Sequence, residues 1–555
     1  MDSQRLILFF VFSFSVFMLL DAWQRDQQPL APVAKKAESA AKSAPGAEQV
    51  PVPSERLAVP KPSVPPSADV PRQPAKADTA TVQVETDLYV AQISPQGGDV
   101  RHLQFKKHRD LLDKSKGFVL FEATPERTYI AQSGLIGNNL PNHRTVYEAS
   151  ASQLQLPDAQ DSVELRLKAP AVDGVQVDKV YRFRRGSYQI EVSFEITNKG
   201  SSVLQPYAYF QIVRDGKPPV GDSAMLPTYT GVAVYTEKEK FQKFSFEDIV
   251  KGKTQFPKNT SDGWIAVIQH YFFSAWLPKE GTPREFFMRK LDENLYSAGV
   301  IVPDGTVAAN ASATLTVPLY AGPQEPTELE KIAPGLELVI DYGWLTVIAV
   351  PLFWLLAWLH QWVGNWGVAI ILLTVIIKLL FYPLSAASYR SMAKMRVLAP
   401  KLQRLKDQYG DDRQRMQQAM MDLYRTEKIN PLGGCMPILV QIPVFIALYW
   451  VLLASVELRH APFILWIQDL SAPDPWFILP ILMAVTMWIQ TKLNPEPPDP
   501  VQAKVMKIMP IVFSIFFFFF PAGLVLYWLV NNVLSIAQQW QITRMLEREP
   551  ASRKG

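Results

Sequence analysis

A single cysteine, Cys435, in 555 residues excludes an intramolecular disulfide and any cysteine-cluster metal site. The six histidines, His102, His108, His143, His270, His360 and His460, nowhere show a ligand spacing such as HExxH, so neither a metal centre nor another cofactor is expected. Charge is almost missing from one long stretch. Between Asp341 and Arg390 the only Asp, Glu, Lys or Arg is Lys378, within WGVAIILLTVIIKLLFYPL from Trp366 to Leu384. The later apolar runs contain no carboxylate, which leaves Lys378 without an evident counter-ion and gives a carboxylate proton relay no groups to use.

A full charge at mid-bilayer costs at least ~3 kcal/mol and is normally kept only where it faces protein or water. Lys378 therefore marks a candidate wet cavity. The competing reading is snorkelling, because the lysine lies about seven residues, roughly 10 Å of helix rise, from the polar end of its run.

The remaining composition divides the chain. Residues 1–23 carry Arg5 and an apolar run from Leu6 to Leu20, about 27 Å of helix when counted to Trp23. No small-x-small cleavage site follows, which favours an uncleaved signal anchor with a cytoplasmic N-terminus over a cleaved signal peptide. Residues 24–80 are rich in Ala, Pro, Ser, Lys and Glu and lack aromatics, the composition of a disordered tether.

Residues 81–325 change to period-two patterning. Tyr188, Ile190, Val192, Phe194 and Ile196 alternate with Gln189, Glu191, Ser193, Glu195 and Thr197. Val82 to Val90, Val163 to Leu167 and Leu315 to Leu319 fit the same strand template, with a turn at Ser94 to Asp99. One large antiparallel sandwich is expected. No catalytic constellation is evident in it, and Glu191 and Glu195 read as the solvent face of a strand.

Beyond Pro334 the pattern becomes that of a membrane domain. Residues 326–365 include the tryptophan-rich run Gly343 to Gln361, long enough to span but interrupted by Pro351. Only Trp362 to Asn365 separates it from the next run, so two crossings would put Ser385 to Asn430 outside. That loop carries ten basic and five acidic residues, and the positive-inside rule assigns it to the cytoplasm. The tryptophan-rich run is therefore expected to lie in the outer interface. Leu432 to Val456 then crosses outward, Glu457 to Pro475 is external, and Trp476 to Thr491 returns. Ile508 to Thr543, about 54 Å as one helix, is split at Pro521 into an outward and a returning arm. Six spans result, five of them in 366–555, with both termini inside.

Polar residues recur at helical spacing within these spans. Thr374 and Lys378 share a face, and Tyr527, Asn531, Ser535 and Gln538 follow i, i+4, i+8, i+11, beside Trp528. Gln441 adds an amide from a third segment. Each could be a helix-packing hydrogen bond, whereas together they outline a hydrated groove. In the cytoplasmic loop, residues 385–430 read as a helical hairpin disturbed at Pro400 and turning at Gly410 and Asp411. Its apolar stripe Met416, Met420, Leu423 and Tyr424 could pack on Leu402, Leu405 and Tyr409 or receive apolar client segments.

The stretches Tyr389 to Met395 (YRSMAKM), Asn430 to Cys435 (NPLGGC), Val456 to Arg459 (VELR) and Pro521 to Tyr527 (PAGLVLY) resemble the bacterial YidC-type membrane protein insertases of the Gram-negative branch. The likeness is specific over Asp341 to Arg548 and, further upstream, is one of layout. It implies a multidomain protein: a polytopic α-helical membrane bundle with a five-span core, plus a periplasmic antiparallel β-supersandwich. It also implies a groove open to cytoplasm and lipid but closed outside, and location in the bacterial inner membrane with 24–342 periplasmic. The partners implied are nascent membrane proteins, the ribosome, membrane lipids and the Sec translocon, with no sequence-specific nucleic-acid binding. The family's usual intramembrane cation is arginine; Lys378 keeps the charge and lacks the planar fork.

The function expected is insertion without covalent catalysis. A client's polar tail is received by Lys378, Thr374, Gln441, Tyr527, Trp528, Asn531, Ser535 and Gln538, and its apolar segment is released sideways into lipid. A secondary transporter or channel is the alternative, disfavoured by the missing internal repeat and intramembrane acids. A periplasmic sugar-modifying enzyme ranks third.

Overall fold

The computed structural model describes residues 50–51, 81–110, 113–219, 228–303, 305–409, 412–427, 436–493, 504–505, 507–509 and 514–548. The expected anchor (1–23), nearly all of the tether, the hairpin turn at Gly410 and Asp411, and Asn430 to Cys435 lie outside them. The chain forms two compact units, one ending at Asp341 and also taking in Ala454–Val456, the other holding the remaining C-terminal residues.

The first unit is a two-sheet sandwich of ten and nine strands. The strand Gln189–Asn198 pairs antiparallel with Val175–Arg184 on one side and Ala311–Pro323 on the other. Alternation dictates its faces: Ile190, Val192, Phe194 and Ile196 are fully buried. Glu191 pairs with Arg182 and Arg184, while Glu195 pairs with Arg166 on the outer face. Ser162–Lys168 and Ala311–Pro323 are strands where alternation predicts them.

Two expectations fail here. Val82 to Val90 is not one strand but a hairpin, Val82–Glu85 with Tyr89–Ile93. Thr86 breaks it, since its hydroxyl oxygen accepts from the backbone N–H groups of Leu88 and Tyr89 and so offers a turn in place of the ladder. The sandwich is also not wholly antiparallel, because Val82–Glu85 pairs in parallel with Gln153–Gln155.

The sandwich buries a lysine of its own. Lys179 Nζ donates to the carbonyls of Gly97 at 2.8 Å and Ser133 at 3.1 Å, tying the Ser94 to Asp99 turn to the interior. Burial pushes its ammonium down and the nearby Asp99 carboxyl up, while their mutual attraction opposes both shifts.

The second unit is helical: α1 (Thr346–Val363), α2 (Trp366–Leu380), α3 (Tyr382–Tyr409), α4 (Arg413–Thr426), α5 (Met436–Ala454), α6 (Ile478–Leu493) and α7 (Ala522–Arg548). Helix α1 runs through Pro351 and α3 through Pro400, so neither proline breaks its helix as expected. Pro351 falls in the second turn of α1, where the ring removes one hydrogen bond and the flanking turns hold the axis.

The run Trp366 to Leu384 is not one helix either. It ends at Phe381 and the axis turns by 66° into α3. Lys378 therefore lies in the last turn of α2 rather than well inside a longer helix. Among the described residues, Gly343–Val363 is long and apolar enough to cross a membrane alone, and the bent pair α2 and α3 qualifies together. Val440–Ala454 and Ile478–Leu493 are shorter apolar helices.

Helices α2, α6 and α7 run parallel, a fact read from paired contacts that advance together. Along α7, Asn532 donates to Thr486 of α6 at 2.9 Å, and Gln539 donates to the carbonyl of Leu493, further along α6, at 3.2 Å. Against α2, a Cβ on Gly523 would meet Ile370 at 3.5 Å near the start, and Ser535 meets Lys378 near the end. Parallel neighbours need a connection that returns the chain to the first end. The 28 residues between Leu493 and Ala522, most of them outside the described ones, are long enough to make that return.

Candidate functional site: a buried cation between parallel helices

The first ends of α2, α6 and α7 are held by the segment from Val456 to Phe477. Asn365, the N-cap of α2, donates its side-chain amide to the Phe463 carbonyl at 2.9 Å. Gly367 permits this approach, because a Cβ there would clash with the Phe463 ring at 2.1 Å. The backbone N–H groups of Ala522 and Gly523, at the start of α7, donate to Ala472 and Leu470 at 2.8 and 2.9 Å. Asp474 is fully buried and accepts from the Trp466 indole at 2.9 Å, the Trp476 N–H at 3.0 Å and the Leu479 N–H at 2.7 Å. Asp469 accepts from His460 at 2.9 Å and from both the N–H and hydroxyl of Ser471. Burial alone would raise the Asp469 carboxyl, but the hydrogen bonds from His460 and Ser471 outweigh it and hold the group below the usual carboxylate range.

At the other end lies Lys378, only 8% exposed. Its ammonium donates to Ser535 Oγ at 2.7 Å, its sole hydrogen-bond partner among the described residues. Ser535 in turn donates to the Asn531 carbonyl one turn back, at 2.7 Å. Gln538, one turn on, donates to the Tyr382 carbonyl at 3.4 Å, a long contact at the root of α3. The last turn of α2 places Lys378 beside that helix's free carbonyls, where the helix dipole favours a cation.

The other expected residues divide. Thr374 is buried, and its hydroxyl donates to the Ile370 carbonyl of its own helix at 2.7 Å, leaving an acceptor lone pair on the Lys378 face. Tyr527 is buried, with its ring 5.7 Å from Phe445. Trp528 stacks on Phe445 at 5.0 Å and packs edge-on against Phe517 at 4.6 Å; its indole N–H has no partner among the described residues. Gln441 is half-buried on α5, one turn before Phe445, and makes no hydrogen bond to the Lys378 cluster. In the hairpin, Lys401 pairs with Glu427 at 2.6 Å, and Met416, Met420, Leu423 and Tyr424 are all half-buried.

Sequence reasoning missed Asn532, Gln539 and Thr486. Asn532 and Gln539 are seven apart on one face of α7, a spacing that marks a second polar stripe beside the one through Ser535.

A bundle of parallel apolar helices capped at one end, with one buried cation toward the other, follows a sandwich in this chain, and the comparisons agree with that order. The YidC periplasmic domain model matches residues 81–355, and the model described as 60Kd inner membrane protein matches 358–549. A protein of Nitrosospira multiformis named membrane protein insertase YidC is 56% identical, covering 100% of this chain and 99% of that one. Its namesake from Methylobacillus flagellatus is 58% identical over the same shares. The chain belongs to the YidC family of membrane protein insertases. An active YidC insertase crystal structure is 19% identical with a TM-score of 0.39, covering 83% of this chain and 92% of that one.

Proposed function

We propose that this chain inserts membrane proteins by offering a protonated lysine and neighbouring hydroxyls and amides to the polar flank of an incoming segment. The carrying observation is the poverty of Lys378's surroundings. Lys179 is fully buried but is engaged by two carbonyls and sits near a carboxylate, a structural staple. Lys378 has one neutral hydroxyl and keeps unused donor capacity, so it can accept a client carboxylate or carbonyl. The aromatic cluster of Phe445, Phe517 and Trp528 supplies the apolar wall along which the client's other part leaves. The driving force is burial of the client's own apolar surface, at about 25 cal/mol per Å². The protein lowers the barrier for the polar part and needs no nucleotide or covalent step.

The topology proposed has six spans with both termini cytoplasmic. Residues 1–23 form the first, 24–80 a tether, 81–325 a periplasmic sandwich, 326–365 an interfacial segment and 366–555 the five-span core. The parallel course of α2, α6 and α7 supports it, because all three then run inward and the capped end is external. The tryptophans of α1 support its interfacial placement: Trp354, Trp358 and Trp362 are all exposed along one side of the helix. The basic hairpin 385–430 then faces the cytoplasm. There Met416, Met420, Leu423 and Tyr424 receive segments from a ribosome-bound chain, and the Sec translocon is a further partner. Gln441 belongs to the client's path beside Phe445 rather than to the lysine's own contacts.

The test is site-specific photo-crosslinking to ribosome-bound nascent chains. Probes at Thr374, Gln441 and Tyr527 should capture a membrane-protein chain, and a probe on the sandwich strand Gln189–Asn198 should not. Equal capture at all four positions would contradict the groove.

A further inference from the structure

The hydroxyl of Ser535 can face the ammonium in only one way. Its proton is committed to the Asn531 carbonyl at 2.7 Å, so the oxygen lone pairs are what Lys378 meets at 2.7 Å. The serine is buried, and both of its directed contacts come from groups fixed in helices α2 and α7. A neutral oxygen held in this orientation binds an ammonium more weakly than a carboxylate does, because a carboxylate adds the attraction between two full charges to the hydrogen bond.

We propose that Ser535 is a positioning residue that parks the Lys378 ammonium in the empty groove and yields it to a client's carboxylate. This rests on the reading of Lys378 above and adds a residue that sets its readiness. Without a fixed acceptor, a lysine on a four-carbon stem would turn toward the interface and leave the groove. With a permanent anion in the same place it would be neutralised before a client arrived. The serine holds the cation inside and leaves it exchangeable.

The experiment measures insertion of matched clients whose translocated tails differ only in being acidic or neutral, with variant abundance equalised. Its readout is the acidic-to-neutral ratio, which a merely structural role would leave alone. Ser535→Ala should lower that ratio about tenfold or more, the scale of losing one hydrogen bond to a charged group. Ser535→Asp should lower it as far as Lys378→Ala does, and Ser535→Thr should restore it. In a Lys378→Ala background, Ser535→Ala should have no further effect on the ratio. Equal losses for both tails, or a ratio unchanged in both the Ala and Asp variants, would overturn the proposal. The Lys378→Ala arm separates the two readings. If it lowers the ratio and the serine variants do not, parking alone fails; if it too leaves the ratio unchanged, the reading of Lys378 fails with it.

Discussion

Replacing Asp474 by alanine should open the cap over the first ends of α2, α6 and α7. The carboxylate is fully buried and satisfies three donors: the Trp466 indole, the Trp476 N–H and the Leu479 N–H in the first turn of α6. Losing the helix-capping contact costs about 1–2 kcal/mol. Losing the bonds to Trp466 and Trp476, both only partly buried, adds about 0.5–1 kcal/mol each, for a total of roughly 2–4 kcal/mol. The loss falls on the segment that also holds Asn365, Ala522 and Gly523, so the starts of α2 and α7 should loosen with that of α6. Asp474→Asn should lie between, because one amide oxygen cannot reproduce both sets of contacts. Denaturation in detergent, followed by the fluorescence of the stacked Trp466 and Trp476, reads the stability. In parallel, a cysteine at Thr374 in a Cys435→Ser background should become reactive to an impermeant thiol reagent added from the periplasmic side. A stability change below about 1 kcal/mol would refute the assignment of Asp474 as the cap's anchor.

Three further outcomes follow from the same structure. Asp469 is held below the usual carboxylate range, so its stabilising contribution is complete above the unfolded value near 4 and is lost as pH falls through the folded value. Asp469→Asn should flatten the acid limb of cap stability, and an unchanged slope would contradict this. Deleting most of Val82 to Val317, with the anchor and the residues before Asp341 retained, should leave insertion largely intact, as client crosslinking and membrane integration of a test protein would show. A cysteine at Ser391 should label only from the cytoplasm; external labelling would place α1 across the membrane and invert the groove.

What could be read from the sequence depended on how local each cause was. The burial of Ile190, Val192, Phe194 and Ile196 follows from alternation alone. The start of α7 beside Pro521 follows from proline's missing donor. Lys378 stood out because apolar sequence surrounds it. The Thr86 turn was hidden because apolar alternation continues across it, and only a side-chain hydrogen bond ends the strand. The prolines misled in the opposite direction, since α1 and α3 each tolerate one missing bond. The 66° turn at Phe381 is announced by Pro383, which lacks the N–H needed to continue α2 and fits the first turn of α3, but the apolar run continues across it and hides the break. The Ser535 acceptor and the Thr486–Asn532 pair depend on helices that meet only in the folded bundle. Spacing on one helix shows that a stripe exists and cannot show what it faces.

The central claim is that Lys378 acts as a positive charge toward clients. Its most direct test is insertion of clients matched except for tail charge, across Lys378→Arg, Lys378→Ala and Lys378→Glu at equal abundance. The account predicts that arginine retains most insertion and that alanine impairs acidic tails more than neutral ones. Glutamate should be worst for acidic tails, because repulsion replaces attraction in a low-dielectric site. An alanine variant indistinguishable from the parent for every tail would contradict the account and leave Lys378 as an anchor at the membrane interface.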